Sequence, residues 1–304
     1  MIQLVASCFR PEGGRHQNEQ LRDDFMNTMD NTFISEEQQE KLGKLKEYLR
    51  ELGSLAVGFS GGVDSSFLLA VAAETLGDKA IAVTGVDASV PQREVDEATV
   101  FCKDRGIRHF LCKVNPLAEE GYRHNSPDRC YFCKHGIFSE VKRIACENGI
   151  QYAGEGSNVD DVGDYRPGLR AVAELGVKSP LREAGLHKKD IRLLSRMMGL
   201  PTWSKPAYAC LASRFVYGEE ITEEKLRMID RAEQFLIEHG FLEERVRLHG
   251  KIARIEVPPD DIARLAADGI RQEVCNEFKK IGFLFVTLDM AGYRMGSMNT
   301  TLPK

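Results

Sequence analysis

The stretch Leu55-Ala56-Val57-Gly58-Phe59 runs directly into Ser60-Gly61-Gly62-Val63-Asp64-Ser65, and the helical apolar pattern Phe67-Leu68-Leu69-Ala70-Val71 follows. An apolar strand feeding a glycine-rich turn and then a helix is a phosphate cradle. Glycines let the backbone approach an anion, and successive N–H groups form a nest at the positive end of the helix. Ser60, Ser65 and Ser66 add hydroxyl donors. The loop has neither the lysine nor the longer spacing of a Walker A motif, which argues against a kinase-type site. A plain glycine turn is the bland alternative, and it leaves the serines, Asp64 and the flanking pattern without a reason.

The chain around this loop alternates. Residues 55–59, 80–86, 108–113 and 150–155 read as strands, and 92–105, 138–148 and 187–198 as helices. Such alternation implies an α/β fold with a parallel sheet covered by helices, its ligands at the carboxyl ends of the strands. Ahead of it, Ser35 and Gln38 form a capping pattern for a helix that carries Leu42, Leu45 and Leu49 to one side and ends near Gly53. The pattern changes near Pro206 to a long helix over 222–239, a hairpin around Gly250, helices over 260–267 and 270–281, and a strand over 284–288. The expected organisation is a polar, disordered extension (1–34), a nucleotide-binding domain (35–205) and a smaller α+β domain (206–304). Met26 and Met29 are alternative starts within the extension.

With 304 residues there is enough chain for two domains and a sizeable core. No apolar run approaches the roughly 18 residues that span a bilayer, and the apolar piece at residues 2–6 is too short for a secretory signal. A cytoplasmic protein with no membrane partner is expected. The net charge of −5 argues against a nucleic acid as the main partner. In that compartment the eight cysteines read as thiols or metal ligands rather than disulfides.

Three of these cysteines stand apart. Cys130 and Cys133 form a Cys-x-x-Cys pair expected in a loop after Pro127-Asp128, and Cys210 lies in Ala209-Cys210-Leu211-Ala212-Ser213-Arg214. One such pair is a redox couple, half of a zinc site or part of an iron–sulfur site. Three thiolates without a fourth suit a 4Fe-4S cluster with one iron left for an exogenous ligand. Zinc completed by His135, or no metal at all, stays open. Cys102, Cys112, Cys146 and Cys275 sit in helix or strand patterns and read as small hydrophobes, whereas Cys8 belongs to the tail.

The segment Gly154-Glu155-Gly156-Ser157-Asn158-Val159-Asp160-Asp161 follows the fourth strand, where a second phosphate or Mg²⁺ contact would lie. A turn rich in Asp and Asn is the alternative. Arg245 and Arg247 alternate on one strand and share a face. With Arg214 four residues after Cys210, they are candidate clamps for a carboxylate or phosphate, weighed against a solvated strand face.

Taken together, these residues resemble the LarE sulfur transferases, the pyridinium-3,5-bisthiocarboxylic acid mononucleotide synthases, within the PP-loop ATP pyrophosphatases. The matching text is residues 60–65, Gly156-Ser-Asn-Val-Asp-Asp161, Arg166-Pro-Gly168, Lys205-Pro-Ala207, residues 210–214, Arg245-Val-Arg247 and Gly292-Tyr-Arg294. The likeness runs from about residue 35 to the end. It implies a PP-loop domain in which Ser60, Gly61, Gly62, Val63, Asp64, Ser65 and Asp161 bind ATP with Mg²⁺. It also implies adenylation of a pyridinium dicarboxylate mononucleotide, with release of pyrophosphate, before sulfur displaces AMP in nickel-pincer cofactor synthesis. Some members sacrifice one cysteine; others use three with a 4Fe-4S cluster and external sulfide, the type that Cys130, Cys133 and Cys210 match. Arg214, Arg245 and Arg247 are expected to hold the substrate, in a homo-oligomer.

Rival readings are a tRNA-thiolating PP-loop enzyme, disfavoured by net charge, and an amide-forming ligase of the NAD synthetase type, which gives the three cysteines no task. A non-catalytic, zinc-stabilised nucleotide-binding module is the alternative outside enzymes.

Overall fold

The computed structural model describes residues 34–161, 167–206, 209–294 and 297–298; the expected extension over 1–33, and Arg166 and Ala207 of the motif series, lie outside them. Helix α1 (Glu36–Leu52) starts from a capping box in which Ser35 Oγ accepts from Gln38 N and Gln38 Oε1 accepts from Ser35 N. It stops on Gly53, which takes the left-handed conformation. Strand β1 (Leu55–Gly58) leads into α2 (Val63–Leu76), β2 (Ala80–Val86), α3 (Gln92–Asp104) and β3 (Arg108–Lys113). A single-turn helix α4 (Glu120–Arg123) precedes α5 (Arg129–Glu147), β4 (Tyr152–Gly154), α6 (Pro167–Glu174) and α7 (Lys188–Met197).

The four strands pair in parallel in the order β3-β2-β1-β4. Side chains alternate across this sheet. Leu55, Val57, Ala80 and Ala82 enter the core shared with α1 and α2, whereas Ala56, Ile81 and Val83 meet Phe138, Val141 and Ile144 of α5. Both faces of β1 and β2 are covered, which is why these two strands read as continuous apolar runs. Because the strands are parallel, the loops after β1, β2 and β4 gather on one edge. This is the α/β architecture expected of a PP-loop protein. Among the described residues, no helix is long and apolar enough to cross a membrane.

Beyond residue 206 come α8 (Glu223–Glu238), β5 (Arg245–His249), β6 (Ile252–Glu256), α9 (Pro259–Ala266), α10 (Asp268–Ile281) and β7 (Phe285–Leu288). The second sheet has the order β5-β6-β7, with β5 and β6 antiparallel about Gly250 and β7 parallel to β6. Its core holds Leu226, Ile229 and Leu236 of α8 against Val246, Leu248, Phe278 and Phe283. Tyr122 of α4 and Leu211, Ala212 and Phe215 belong to that same core, and Phe215 bridges to Leu248. An Arg93–Asp230 ion pair at 2.5 Å joins α3 to α8.

The Cys130–Cys133 pair does not lie in a loop as expected. Helix α5 begins at Arg129 and carries both cysteines in its first turns. The cause is tertiary: the Phe132 ring packs so tightly on Gly121 that a Cβ there would come within 2.1 Å of it. Phe132 and Cys133 border the second core, so the helix start is stabilised by contacts that local periodicity does not reveal.

Candidate active site

The loop between β1 and α2 is closed by its own side chains. Ser60 Oγ and Ser65 Oγ lie 3.1 Å apart, Ser65 Oγ donates to Gly62 O (3.3 Å), and Gly62 N donates to Ser60 Oγ (3.4 Å). Gly61 has φ +67°, a conformation that strains residues bearing a Cβ. Helix α2 starts at Val63 without a side-chain cap, which leaves its first N–H groups directed at the loop mouth. The loop after β4 presses onto this start: a Cβ on Gly156 would lie 3.0 Å from Ser65 N.

Asp64 does not point freely into solvent. Its Oδ2 accepts from Lys188 Nζ at 2.5 Å, while its Oδ1 is buried and makes no hydrogen bond within the described residues. Burial pushes the Asp64 carboxyl up; Lys188 opposes this and the Asp161 charge adds to it. Asp161 Oδ2 accepts from Asn158 N (2.9 Å). Its neighbour Asp160 is committed to α7, accepting from Lys188 N (2.8 Å) and contacting His187 Nδ1 (2.6 Å). Glu155 is buried among Ser157 and Ser179, whose hydroxyls each donate to it at 2.6 Å. Lys205 Nζ donates to Gly61 O (3.2 Å) and pairs with Glu97 (2.6 Å). Two lysines therefore reach the phosphate loop. Sequence reasoning gave neither a role; for Lys188 the one local signal was its place at the first position of a helix.

The thiols gather at the same sheet edge. Leu211 N donates to Ser89 O (3.0 Å), which docks the Cys210 segment on the loop after β2. Cys133 feels the charge of both Cys210 and Cys130, and Cys210 that of Cys130, so the three share one neighbourhood. Cys130 and Cys210 keep exposed surface and Cys133 is half-buried. Even so, enough protein surrounds Cys210 for lost solvation to push its thiol up, with Arg129 and Arg214 pulling it down. Burial likewise raises Cys133. Among the described residues no three His, Cys, Asp or Glu side chains are arranged to hold a metal ion. The donors are of the right kind for iron–sulfur ligation, but they do not form a ligand cage.

The arginines are buried, not a solvated face. Arg214 forks onto Glu233 (2.8 and 2.9 Å) and donates from Nη1 to the carbonyls of Ala209 (2.6 Å) and Cys210 (3.3 Å). Arg247 binds Glu256 (2.8 and 3.0 Å) and Ser213 O (3.1 Å). Arg245 donates to Glu244 O (2.5 Å) and lies 4.9 Å over the Tyr293 ring. Glu233 and Glu256 escaped the sequence reading because a lone glutamate on a helix or strand carries no signal.

A parallel sheet, a serine–glycine phosphate loop at its edge and an uncapped helix start define a PP-loop ATP-using enzyme. The NAD synthase family profile matches residues 37–137. An uncharacterized protein of Synechocystis sp. is 42% identical over 87% of this chain and 98% of its own length. The pyridinium-3,5-bisthiocarboxylic acid mononucleotide synthase of Lactiplantibacillus plantarum is 36% identical over 87% of this chain and 95% of its own. An uncharacterized protein of Methanocaldococcus jannaschii is 29% identical over 84% of this chain and 97% of its own. The chain belongs to the LarE family of ATP-dependent sulfurtransferases.

Proposed function

We propose that this enzyme adenylates the carboxylates of pyridinium-3,5-biscarboxylic acid mononucleotide and converts them to thiocarboxylates for a nickel-pincer cofactor. The observation that supports this reading is that the segment carrying Cys210 docks, through Leu211 N on Ser89 O, on the loop after β2, at the same carboxyl edge of the parallel sheet as the phosphate loop after β1. A carboxylate is a poor electrophile. Its oxygen attacks the α-phosphorus of ATP, pyrophosphate departs, and the acyl carbon then carries AMP as a good leaving group. Ser60, Gly61, Gly62, Val63, Asp64 and Ser65 would receive the departing pyrophosphate, with charge and positioning supplying the rate. Asp64 and Asp161 would hold Mg²⁺, which needs only one or two carboxylates beside phosphate oxygens.

Sulfur then attacks the acyl carbon and AMP leaves. Cys130, Cys133 and Cys210 are the sulfur-transfer centre in this reading and would hold a 4Fe-4S cluster. When bound, that cluster supplies an exogenous sulfide as nucleophile; without it, Cys210 is the sulfur donor. Arg214, Arg245 and Arg247 would hold the carboxylates or phosphate of the substrate in this reading, with Arg214 and Arg247 fixed in place by Glu233 and Glu256. The enzyme would act as a homo-oligomer in the cytoplasm; exposed Leu284, Phe285 and Met290 at edge strand β7 support assembly.

The test is anaerobic purification with iron, acid-labile sulfide and zinc analysis, and mass spectrometry of the product and of Cys210. Iron with sulfide and an oxygen-to-sulfur exchange in the product are expected. Zinc alone would make the Cys-x-x-Cys pair structural. Dehydroalanine at position 210 after turnover would make Cys210 the donor.

A further inference from the structure

Cys210 and the Cys130–Cys133 pair lie on separate segments of the chain, and one buried side chain ties those segments together. Asn125 is wholly buried, five residues ahead of Cys130. Its Nδ2 donates to the carbonyls of Val216 (2.6 Å) and Phe215 (3.3 Å), and Phe215 lies five residues beyond Cys210. Its Oδ1 accepts from Nη1 of Arg129, the residue just before Cys130. The backbone adds to the clamp: Gly218 N donates to Asn125 O (3.2 Å) and Ile221 N to Arg123 O (2.8 Å). The Arg129 guanidinium lies 5.2 Å from the Tyr217 ring centroid.

Each side of the clamp is joined to its cysteines by short, hydrogen-bonded chain. A 3-10 turn over Leu211–Arg214 leads from Cys210 to Phe215, with Ser213 N donating to Cys210 O (2.9 Å). Phe215 is itself wholly buried and bridges to Leu248. On the other side Ser126 Oγ donates to Gly121 O (2.7 Å) and Arg129 N to Ser126 O (3.0 Å), after which α5 carries Cys130 and Cys133. Leu211, Phe215 and Cys133 meet at the same core. A shift of one segment against the other would therefore be passed on to the sulfurs.

Position 125 calls for asparagine. Its φ of +49° is the one positive value at a non-glycine residue among the described residues, and backbone held in such a sparsely populated region clusters at functional sites. Glycine takes that conformation freely but has no side chain to bridge with. Aspartate tolerates it but has no donor for the two carbonyls. Asparagine donates to both carbonyls and accepts from the guanidinium at once.

We propose that Asn125 is a positioning residue for sulfur transfer: it sets the separation of Cys210 from the helix that carries Cys130 and Cys133. This rests on the sulfur-transfer reading and adds to it the part that keeps the three thiols in register. The phosphate loop closes on its own serines, and Asn125 makes no hydrogen bond to it among the described residues, so adenylation should not depend on the clamp.

The test compares Asn125→Gly, which keeps the backbone conformation and deletes the side chain, with Asn125→Asp, which keeps the acceptor for Arg129 and loses both donors. Substrate-dependent ATP–pyrophosphate exchange should stay within about twofold of wild type in both, while thiocarboxylate formation falls by roughly 10- to 100-fold. In metal-free protein, dibromobimane should bridge Cys130 to Cys210 severalfold more slowly in both variants. The Cys130–Cys133 bridge, set by α5 itself, should form at the wild-type rate. Wild-type sulfur transfer or unchanged Cys130–Cys210 bridging in both variants would overturn the proposal. So would a joint change in exchange and in both bridges, which would make Asn125 a residue of the fold at large. A wild-type enzyme that forms no thiocarboxylate would instead overturn the reading beneath it, and the bridging comparison, which needs no substrate, would still decide the clamp.

Discussion

In the phosphate loop, Ser60, Gly62 and Ser65 satisfy one another within a single turn, whereas the segment around Cys210 is held in addition by contacts that cross between elements. Arg214 reaches Glu233 on α8, Arg247 spans from β5 to Glu256 on β6, and Ser89 receives Leu211 N. The first region is locally closed and leaves the first N–H groups of α2 without a side-chain cap. The second depends on buried charges that are stable only while each keeps its partner. A site that must hold one anion shape can be written in a short motif. The region around Cys210 is assembled from distant pieces and has no such short motif.

The contrast predicts where the molecule breaks. Glu233→Ala should cost about 3–5 kcal/mol in urea unfolding, because it strands buried Arg214. Adding Arg214→Met should recover much of that loss; equal stability of the single variant and wild type would mean the pair is solvated. In the nucleotide region, Lys188→Met should lower pyrophosphate exchange by about 10²-fold with little change in stability, since Lys188 is partly exposed and acts on Asp64 and the loop mouth. Normal exchange would reduce Lys188 to a surface ion pair.

Glu244 sharpens the comparison through pH. Neither of its buried oxygens has a hydrogen-bond partner, and burial, then the Glu233 charge, pushes its carboxyl from 4.5 up to about 8. The unfolded chain releases this proton near 4.5 and the folded chain holds it to about 8. Between those values the folded state binds more protons, so this group makes stability fall as pH rises through the window and then level off. Glu244→Gln should flatten that part of the urea-midpoint profile; an unchanged slope would mean that Glu244 is ionised and paired. The smallest effect belongs to Ser35→Ala, which removes the α1 cap. About 1 kcal/mol of stability should go with no change in either half-reaction, and a drop in exchange would show that α1 bears on the site.

Legibility in the sequence followed the same division. The strand–loop–helix around residues 60–65, the parallel sheet and the hairpin about Gly250 were readable because each is specified by contiguous residues. The helical start at Arg129 was not, since Phe132 gains its partner at Gly121 through packing. Lys188 was missed because Asp64 lies 124 positions away. Arg245 and Arg247 were recognised as sharing a face, but their burial depended on Glu256 and on Tyr293, which no strand periodicity reveals.

The most direct test of the account is ATP–pyrophosphate exchange driven by pyridinium-3,5-biscarboxylic acid mononucleotide, run beside thiocarboxylate detection in wild type and Cys210→Ala. The account predicts exchange in both proteins and thiocarboxylate from the wild type alone, a fall of more than roughly 10³-fold in the variant. Exchange that ignores this substrate, or thiocarboxylate formed at wild-type rate without Cys210, would contradict it.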